Sequence, residues 1–359
     1  MTSNDWDSRE SEPNLEVLRR LAPPKVVKKP GPHLGLVWEA TTLGDIDEIV
    51  ALHNGSGPNE IIGENMSSKA LADFLELNCI GENSLTGRDS AGTLQAFASV
   101  VLNSKAVTEL QADLYAIVSQ QWQGRGIGRA LLEWQVGLAR TLLAADGRDL
   151  PASIRSITDS HNLDRRRLLT AGGFSSNLSK VMLVRSLDDH SWEGTDQSGF
   201  HCNHGPSTSG FADFGLEARP LDPSDEVQVE ALRRLNNRLV LSRRGLQPVS
   251  RERLDKMLAH SEPELSTMLY DGDALVGYAI CIDPVTATNA VVRLYGVERA
   301  LRNRGIGSAL IRSVMCKARS HGKRNIVVPV VNDSSRRSGF LAHEGFLEGS
   351  IYMTYAIDL

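Results

Sequence analysis

Hydrophobic and polar positions follow one order of strands and helices through the first half of this chain. The spacing of apolar residues predicts a strand over residues 36–40, helices over 45–54 and 67–78, and two strands around a turn at 89–92. A fourth strand alternates apolar and polar residues up to Val118, the period expected of a strand with one covered face. A long helix from Ile127, a strand over 153–158, a helix over 163–171 and a strand near 181–185 complete the unit.

The second half repeats this order. The pattern predicts a strand over residues 216–219, helices over 225–239 and 251–260, a hairpin that turns at Asp271-Gly272, and a strand over 291–297. A helix with an apolar face from Ile306, a strand over 326–329, a helix over 334–343 and a strand over 351–357 follow. We therefore predict an α/β chain (α+β mixed sheet) built from two units of the same fold.

Composition sets the limits of the units. Residues 1–35 combine charges with five prolines and are predicted to be a disordered N-terminal tail, in which a short helix over residues 15–21 is compatible with the leucine spacing. The first domain is predicted over 36–188 and the second over 216–359. Residues 189–215, rich in Ser, Gly, Asp and His, are predicted to be a linker.

Charge and hydropathy exclude several partners. The formal net charge is -5 and no long basic run occurs, which argues against nucleic acid or an anionic membrane. No apolar run has transmembrane length, and the opening ten residues are polar and acidic. We expect a cytoplasmic protein with no membrane and no nucleic-acid partner.

The cysteines do not suggest a disulfide framework or a metal site. All four lie far apart, so buried thiols are predicted: Cys79, Cys202, Cys281 and Cys316. A short tract holds His201, Cys202 and His204, but it has no paired Cys-x-x-Cys spacing. We expect no metal.

Each unit carries a glycine-rich loop between its fourth strand and the following helix. Gln123-x-Arg125-Gly126-Ile127-Gly128-x-Ala130-Leu131-Leu132 matches Arg302-x-Arg304-Gly305-Ile306-Gly307-x-Ala309-Leu310-Ile311 at six of ten positions. A helix start presents amides without helical partners, and glycine lets an anion approach them. A dinucleotide loop would need a third glycine where Leu131 and Leu310 stand, and no Gly-Lys-Ser/Thr follows for a nucleotide P-loop. Glycine-rich helix starts without a ligand are the remaining alternative.

The loops resemble the acyl-CoA signature of the GNAT acetyltransferase superfamily, [Gln/Arg]-x-x-Gly-x-[Gly/Ala], with a valine five residues before it. The resemblance implies a tandem GNAT-like chain with acetyl-CoA as co-substrate and no metal. Its loop amides would hold the pyrophosphate, and the preceding strand would hold the pantetheine arm. The contact residues implied in the first unit are Val118, Gln123, Gly124, Arg125, Gly126, Ile127, Gly128, Arg129 and Asn162. Those implied in the second are Val297, Arg302, Asn303, Arg304, Gly305, Ile306, Gly307 and Ser308.

The expected reaction is transfer of an acetyl group to a primary amine of a small molecule by direct attack. A CoA-binding protein with inactive units, acting as a sensor or scaffold, and an acetyltransferase for protein lysines or N-termini remain alternatives. The tyrosine that protonates the leaving thiolate in many members is replaced by Leu169 and Leu341, and Ser334 stands where the first unit has Asn162, with Asn332 two positions away. No catalytic residue is assigned.

A strand-borne base is available only in the first unit. Asp113 shares one strand face with Gln111 and Tyr115, and an uncovered face of this kind would form the floor of an acceptor site. A solvated surface aspartate is the alternative interpretation. The second unit offers Val291, Arg293 and Tyr295 on its strand, with Asp283 and Glu298 nearby. If catalysis uses a base on the strand, the first unit is therefore expected to be the active one.

Overall fold

The structure is a computed structural model that describes residues 15–55, 68–103, 108–188, 208–240, 248–282, 288–331 and 335–359, except for the side chains of 177, 208–209 and 335–338. Its strands β1 to β12 are, in order, Val37–Thr41, Gly81–Arg88, Leu94–Leu102, Leu110–Val118, Ala152–Asp159, Ser175–Ser186, Glu217–Arg219, Thr267–Asp271, Ala274–Ile282, Asn289–Val297, Asn325–Val331 and Leu347–Asp358. Its helices α1 to α9 are Leu15–Leu21, Ile46–Gly55, Ser68–Asn78, Ile127–Asp146, Leu163–Ala171, Glu226–Val240, Arg251–Leu258, Ile306–Ser320 and Ser335–His343.

All the strands join in one sheet, in the order β1-β2-β3-β4-β5-β12-β6-β11-β10-β9-β8-β7. Most neighbours are antiparallel, but β4 runs parallel to β5 and β10 runs parallel to β11. This is the mixed α/β sheet that the sequence predicted. Helices cover both faces, as the apolar stripes of α4 and α8 require: Ile127, Leu131, Ile306 and Leu310 are all buried.

The two units exchange their last strands. β12, from the end of the second unit, lies between β5 and β6 of the first unit, and β6 lies between β12 and β11 of the second. The register is continuous on both outer sides, with β12 paired to β5 from Tyr352↔Asp159 to Asp358↔Ser153 and β6 paired to β11 over seven residues. Each unit's sheet is therefore completed by a strand of the other.

Most predicted elements are present within one or two residues of the predicted ends. The helix over 163–171 has its predicted limits, because the Asn162 side chain accepts a hydrogen bond from the Arg165 amide at its start. The hairpin turns at Gly272, whose φ of 58° lies in the left-handed region. The strands β6 and β12 are each longer than predicted, since both are paired on two sides in the exchange.

The prediction of a disordered tail is wrong for residues 15–35. α1 packs on α4, with Val17 and Leu21 buried in the core of the first unit, and Leu34 is buried near the first loop. Arg140 Nη1 on α4 donates to the Leu21 carbonyl at 2.6 Å, and Arg20 Nη2 donates to the Leu150 carbonyl at 2.7 Å. The burial of a few apolar side chains therefore orders this segment despite its proline and lysine content.

The predicted linker and the cysteines give mixed outcomes. Residues 208–214 of the linker form a 3-10 helix in which Phe211 is fully buried, so this part is packed.

Cys79 and Cys281 are free and buried as predicted. Cys316 is disulfide-bonded, so the prediction of a thiol is wrong there, because sequence separation does not limit which cysteines a fold brings together. His201, Cys202 and His204 lie outside the described residues, and the domain limits stay a prediction.

Candidate functional site

The two glycine-rich loops have the same backbone conformation. Gly126, just before α4, has φ 85° and ψ -5°, and Gly305, just before α8, has φ 84° and ψ -11°. Two residues earlier, Gly124 has φ 75° and Asn303 has φ 62°. These positive φ values favour glycine, or asparagine among the other residues. The sequence repeat is therefore also a repeat of local geometry.

Each loop leaves a set of amides without helical partners. The first backbone bond of α4 runs from the Ala130 amide to the Gly126 carbonyl at 3.1 Å, and that of α8 from Ala309 to Gly305 at 3.0 Å. The amides before these, on Ile127, Gly128 and Arg129 and on Ile306, Gly307 and Ser308, precede the helical ladder. Together with the helix dipole they form a site suited to a phosphate group.

The first residue of each loop ties the loop to the strand before it. Gln123 Nε2 donates to the Val118 carbonyl at 3.0 Å, and Arg302 Nε donates to the Val297 carbonyl at 3.0 Å. Two different side chains thus make the same bond. These residues fix the angle between the strand and the helix start, in addition to any contact with a ligand.

A short 3-10 turn lies over each loop, which the hydrophobic pattern did not predict. Leu34, from the turn Pro32–Leu34, has Cδ2 3.8 Å from the point where a Gly126 Cβ would lie. Phe214, from Thr208–Phe214, has Cζ at the same 3.8 Å from a Gly305 Cβ. A glycine with positive φ ends each turn, Gly35 at 76° and Gly215 at 70°. The repeated Gly-Leu pair at 35–36 and 215–216 is the signal that could have revealed it.

The parallel strands separate on the way to each loop. β4 and β5 pair only from Leu110↔Ala152 to Leu114↔Ser156, and β10 and β11 only from Asn289↔Asn325 to Val291↔Val327. Beyond these points a gap opens that leads to the helix start. The gap begins six residues before Val297 but only four before Val118, so it is longer in the second unit.

An arginine enters the gap of the first unit. Arg165 Nη1 donates to the Ala116 carbonyl of β4 at 2.7 Å, and Nη2 donates to Ser156 Oγ of β5 at 3.3 Å. Asn162, implied as a pantetheine contact, uses its Oδ1 to cap α5 through the Arg165 amide at 3.0 Å. The corresponding positions of the second unit, Asn332 and Ser334, lie outside the described residues.

Asp113 is held in the paired part of the sheet. Its Oδ1 accepts bonds from Arg155 Nε at 2.9 Å and Nη2 at 2.8 Å, and the two residues are register partners on β4 and β5. Tyr115, on the same face, packs edge-on against Phe74 of α3, with ring centroids 5.3 Å apart. Burial and the charge of Asp113 raise the pKa of Tyr115. The face predicted to be a possible acceptor floor is therefore covered by a helix.

The corresponding strand of the second unit is interrupted. β10 carries a bulge against β9 between Val292 and Leu294, whereas β4 pairs with β3 without a break. Counted back from the valine at each strand end, Tyr295 corresponds to Ala116, and Leu294 corresponds to Tyr115. Before the bulge this correspondence shifts by one residue, because a bulge inserts a residue that periodicity does not reveal.

Tyr295 reaches the start of α8. Its ring stacks on Phe340 with centroids 6.0 Å apart, and its hydroxyl lies 2.6 Å from the place where a Gly307 Cβ would be. A Cβ at position 307 would therefore force this hydroxyl to move. Burial raises the pKa of Tyr295, so the phenol is neutral near pH 7. Leu169 and Leu341 are both buried in the core, whereas Tyr295 lies beside the second loop and belongs to the strand before it.

The remaining candidates serve the fold. Glu298 accepts from the Arg299 amide at 2.9 Å and pairs with Arg238, which fixes the turn after β10. Burial lowers the pKa of His53, which has only Asn54 as a described side-chain partner. Asp283 lies outside the described residues. Within the described ranges, no group of three metal-ligating side chains occurs, and no helix is long and apolar enough to span a membrane.

The sequence of the second unit matches a known family. Residues 231–346 match the model described as the acetyltransferase (GNAT) family, and this range contains β10, the second loop and α8. The second unit is a GNAT acetyltransferase domain. No curated protein matches the chain in sequence.

Solved structures extend the likeness to the whole chain. A GCN5-related N-acetyltransferase from Sphaerobacter thermophilus is 19% identical with a TM-score of 0.65, covering 92% of this chain and 97% of its own. A tandem GNAT protein from the clavulanic acid biosynthesis pathway is 14% identical with a TM-score of 0.62, covering 90% and 98%. Saccharomyces cerevisiae N-myristoyltransferase with bound myristoyl-CoA is 11% identical with a TM-score of 0.58, covering 93% and 81%. The layout is similar to that of a tandem GNAT protein, and the family match of the second unit indicates an acyltransferase.

Proposed function

We propose that the protein is an N-acetyltransferase that moves the acetyl group of acetyl-CoA to a primary amine of a small molecule by direct attack, and that the second unit carries out the reaction. The observation that carries the proposal is the family match, which lies within the second unit and includes its loop and the strand before it. The bulge in β10 adds support, since bulges are common beside active sites.

The second loop has the features that the donor requires. The amides of Ile306, Gly307 and Ser308 would hold the pyrophosphate, and Gly305 leaves the approach free of a Cβ. The longer gap between β10 and β11 would admit the pantetheine arm, with Val297 at its end. Arg302, Asn303 and Arg304 form the remainder of the loop. In the first unit the equivalent contacts are proposed for Gln123 to Arg129, with Val118 and Asn162.

The chain's own groups can assist each part of the transfer. The acceptor nitrogen bonds to the thioester carbonyl carbon, the carbon–sulfur bond breaks, and the nitrogen gives up a proton. Backbone amides around the β10 bulge would stabilise charge on the carbonyl oxygen. A CoA thiol has a pKa close to that of cysteine, about 8.5, so it can leave as thiolate without a strong acid. We assign the neutral Tyr295 hydroxyl a positioning role beside the donor.

A small acceptor is supported by the covering of the sheet. α6 and α7 lie over the β9 and β10 face of the second unit, where a Cβ on Gly296 would already meet Leu239 and the Tyr278 hydroxyl at 2.7 Å. A face packed in this way favours a compact amine over a folded protein. The alternative of a CoA-binding unit without turnover applies best to the first unit, where Arg165 already bonds the Ala116 carbonyl.

Release of CoA thiol from acetyl-CoA, measured with a panel of small amines, tests the proposal. We expect turnover that depends on one class of primary amine and is lost in Gly305→Glu. Gly305→Ala is the matched control, because it has the same φ penalty without bulk or charge. Thiol release that no amine stimulates, or full activity in Gly305→Glu, would contradict the proposal.

A further inference from the structure

The bulge of β10 places one arginine in the gap of the second unit. Val292 and Leu294 pair with consecutive residues of β9, so Arg293 between them has no register partner on that strand. On the other side, β10 is paired with β11 only as far as Val291. Arg293 is therefore unpaired on both sides, two residues into the gap between the parallel strands.

The side chain of Arg293 is half-buried, although its neighbours pack into the core. Val292 belongs to the apolar cluster on the α8 side of the sheet, and Leu294 packs against the cluster on the α6 and α7 side. Within the described chain, no hydrogen bond or ion pair involves the Arg293 guanidinium. Charged side chains that are withdrawn from water are normally paired, and this one has five N–H donors to satisfy. Such a group is suited to binding an anion that is not part of the protein.

Two carboxylates lie near the end of β10, and both are already paired. Glu298, directly after the strand, forms an ion pair with Arg238. Glu344, whose charge acts on Tyr295, is buried and accepts from Arg312 Nε at 2.6 Å and Nη2 at 3.1 Å. Within the described ranges, no carboxylate of the protein therefore balances the charge in the gap.

The first unit forms the same part of the fold without this arginine. β4 pairs with β3 without a break, so it has no residue that corresponds to Arg293. The arginine on the neighbouring strand, Arg155, is bound to Asp113 in the paired part of the sheet. The free charge is therefore a property of the unit that is proposed to be active, and the fold does not require it.

The chemistry of one guanidinium indicates the kind of anion. Its planar fork matches the two oxygens of a carboxylate, and two parallel hydrogen bonds can form. One positive charge also balances one carboxylate, whereas a phosphate dianion would keep a negative charge in a partly buried place. An acceptor that carries a single carboxylate besides its amine therefore fits the site best.

We propose that Arg293 binds a carboxylate of the acceptor, so that the molecules acetylated by the second unit are amino acids or similar amines with one carboxylate. The inference rests on the proposed function. The nitrogen bonds to the thioester carbon, CoA leaves and the nitrogen loses a proton, while the bound carboxylate keeps its charge throughout. Arg293 is thus a specificity-determining residue, and its contribution should appear in KM and not in kcat.

Steady-state thiol release with matched acceptors tests the inference. The panel contains common α-amino acids and β-alanine, each with its carboxamide, and O-phosphoethanolamine. Arg293→Gln should raise KM for the preferred acid about thirtyfold or more and leave kcat unchanged. KM for its carboxamide and for acetyl-CoA should change less than about twofold. The ratio within each pair is compared between wild type and variant, because the two amines of a pair differ in basicity.

Two further variants sharpen the measurement. Arg293→Lys should give a smaller rise in KM than Arg293→Gln, because lysine keeps the charge and loses the planar fork. Arg234→Gln is the matched control, since Arg234 lies on α6 of the same unit, is 74% exposed and pairs with Glu230. It removes one positive charge from the unit and should change no ratio by more than about twofold.

The outcomes separate the inference from the function on which it rests. If Arg293→Gln impairs an acid and its carboxamide equally, the arginine has a structural role, and the inference is overturned while the acyltransferase function stands. A preference for O-phosphoethanolamine over every acid overturns the assignment of a carboxylate. Absence of turnover with every amine overturns the proposed function, and the inference with it. Equal unfolding midpoints for Arg293→Gln and the wild type support a change in recognition alone.

Discussion

The two units have nearly the same phosphate loop but different strands leading to it. The glycines before α4 and α8 agree within a few degrees in φ and ψ, and Gln123 and Arg302 make the same bond to the preceding strand. By contrast, β4 is unbroken and its gap holds Arg165, whereas β10 is bulged and its gap is longer. A fold of this kind can therefore keep the part that binds an anion while the part next to the reacting group changes.

The largest expected effect distinguishes the two loops directly. Gly305→Glu should lower turnover about a hundredfold or more, because a carboxylate at the helix start repels the donor's phosphates, whereas Gly126→Glu should lower it less than about tenfold. Steady-state thiol release is the measurement, with the two Gly→Ala variants as controls. A reversed ranking would mean that the first unit is catalytic.

Helix α1 gives the first unit a dependence on residues before its sheet. Leu21→Ala removes a fully buried side chain between α1 and α4 and should lower the free energy of unfolding by about 3 kcal/mol. Leu15→Ala, on the same helix but 76% exposed, should change it by less than about 0.5 kcal/mol. Denaturant unfolding of both variants gives the comparison. If the two variants are equally stable, the segment does not pack as described and the prediction of a disordered tail is correct.

Asp113→Asn tests whether the strand carboxylate of the first unit acts as a base. Because Asp113 is paired to Arg155 beside a covered face, we expect turnover to change less than about threefold and stability to fall by about 1 kcal/mol. Arg155→Gln should give a similar loss of stability. A hundredfold fall in turnover with unchanged CoA affinity would instead establish a base on β4 and reverse the comparison between the units.

The smallest expected effect concerns an aspartate just before a helix in each unit, Asp45 before α2 and Asp225 before α6. The two are compared by how their replacement changes the free energy of unfolding. Burial alone would raise the pKa of Asp45, but the Thr42 amide and the Arg88 guanidinium outweigh it, and the net pKa lies below the ordinary 3.8. A depressed carboxyl pKa contributes stability above about pH 4, and this is lost as the pH falls through the folded-state value. Among the described residues, the equivalent Asp225 accepts hydrogen bonds from the backbone amides of Val227 and Gln228.

Unfolding midpoints between pH 3 and pH 7 test this. Asp45→Asn should be less stable than the wild type by about 1 kcal/mol at pH 7, and the difference should shrink towards pH 3. Asp225→Asn is the control in the second unit, because Asp225 accepts hydrogen bonds from two backbone amides and has no arginine partner among the described residues. A constant difference for Asp45→Asn across this range would mean that Arg88 does not act through the charge of Asp45.

The sequence was most informative where one local rule decides the structure. Apolar spacing identified α4 and α8, and glycine content identified both loops, since each signal lies within a few neighbouring residues. The exchange of β6 and β12 could not be read in this way, because both strands have the same period whichever partner they take. The bulge at Arg293 shifts the register of β10 and leaves no signal in composition. Arg165 enters the gap from α5 and bonds a β4 residue that lies 49 positions earlier in the chain. The packing of residues 15–35 was missed because their few buried side chains are sparse among prolines and lysines.

The exchanged strands also determine the order in which the molecule can be completed as it is synthesised. The sheet of the first unit lacks β12 until nearly the whole chain has been made, although the rest of that unit is finished by residue 188. Until then β5 and β6 present unpaired edges, which are open to pairing with other chains. A ribosome pausing in the second half would thus prolong an aggregation-prone intermediate, and a chain cut after its first unit would keep those edges permanently.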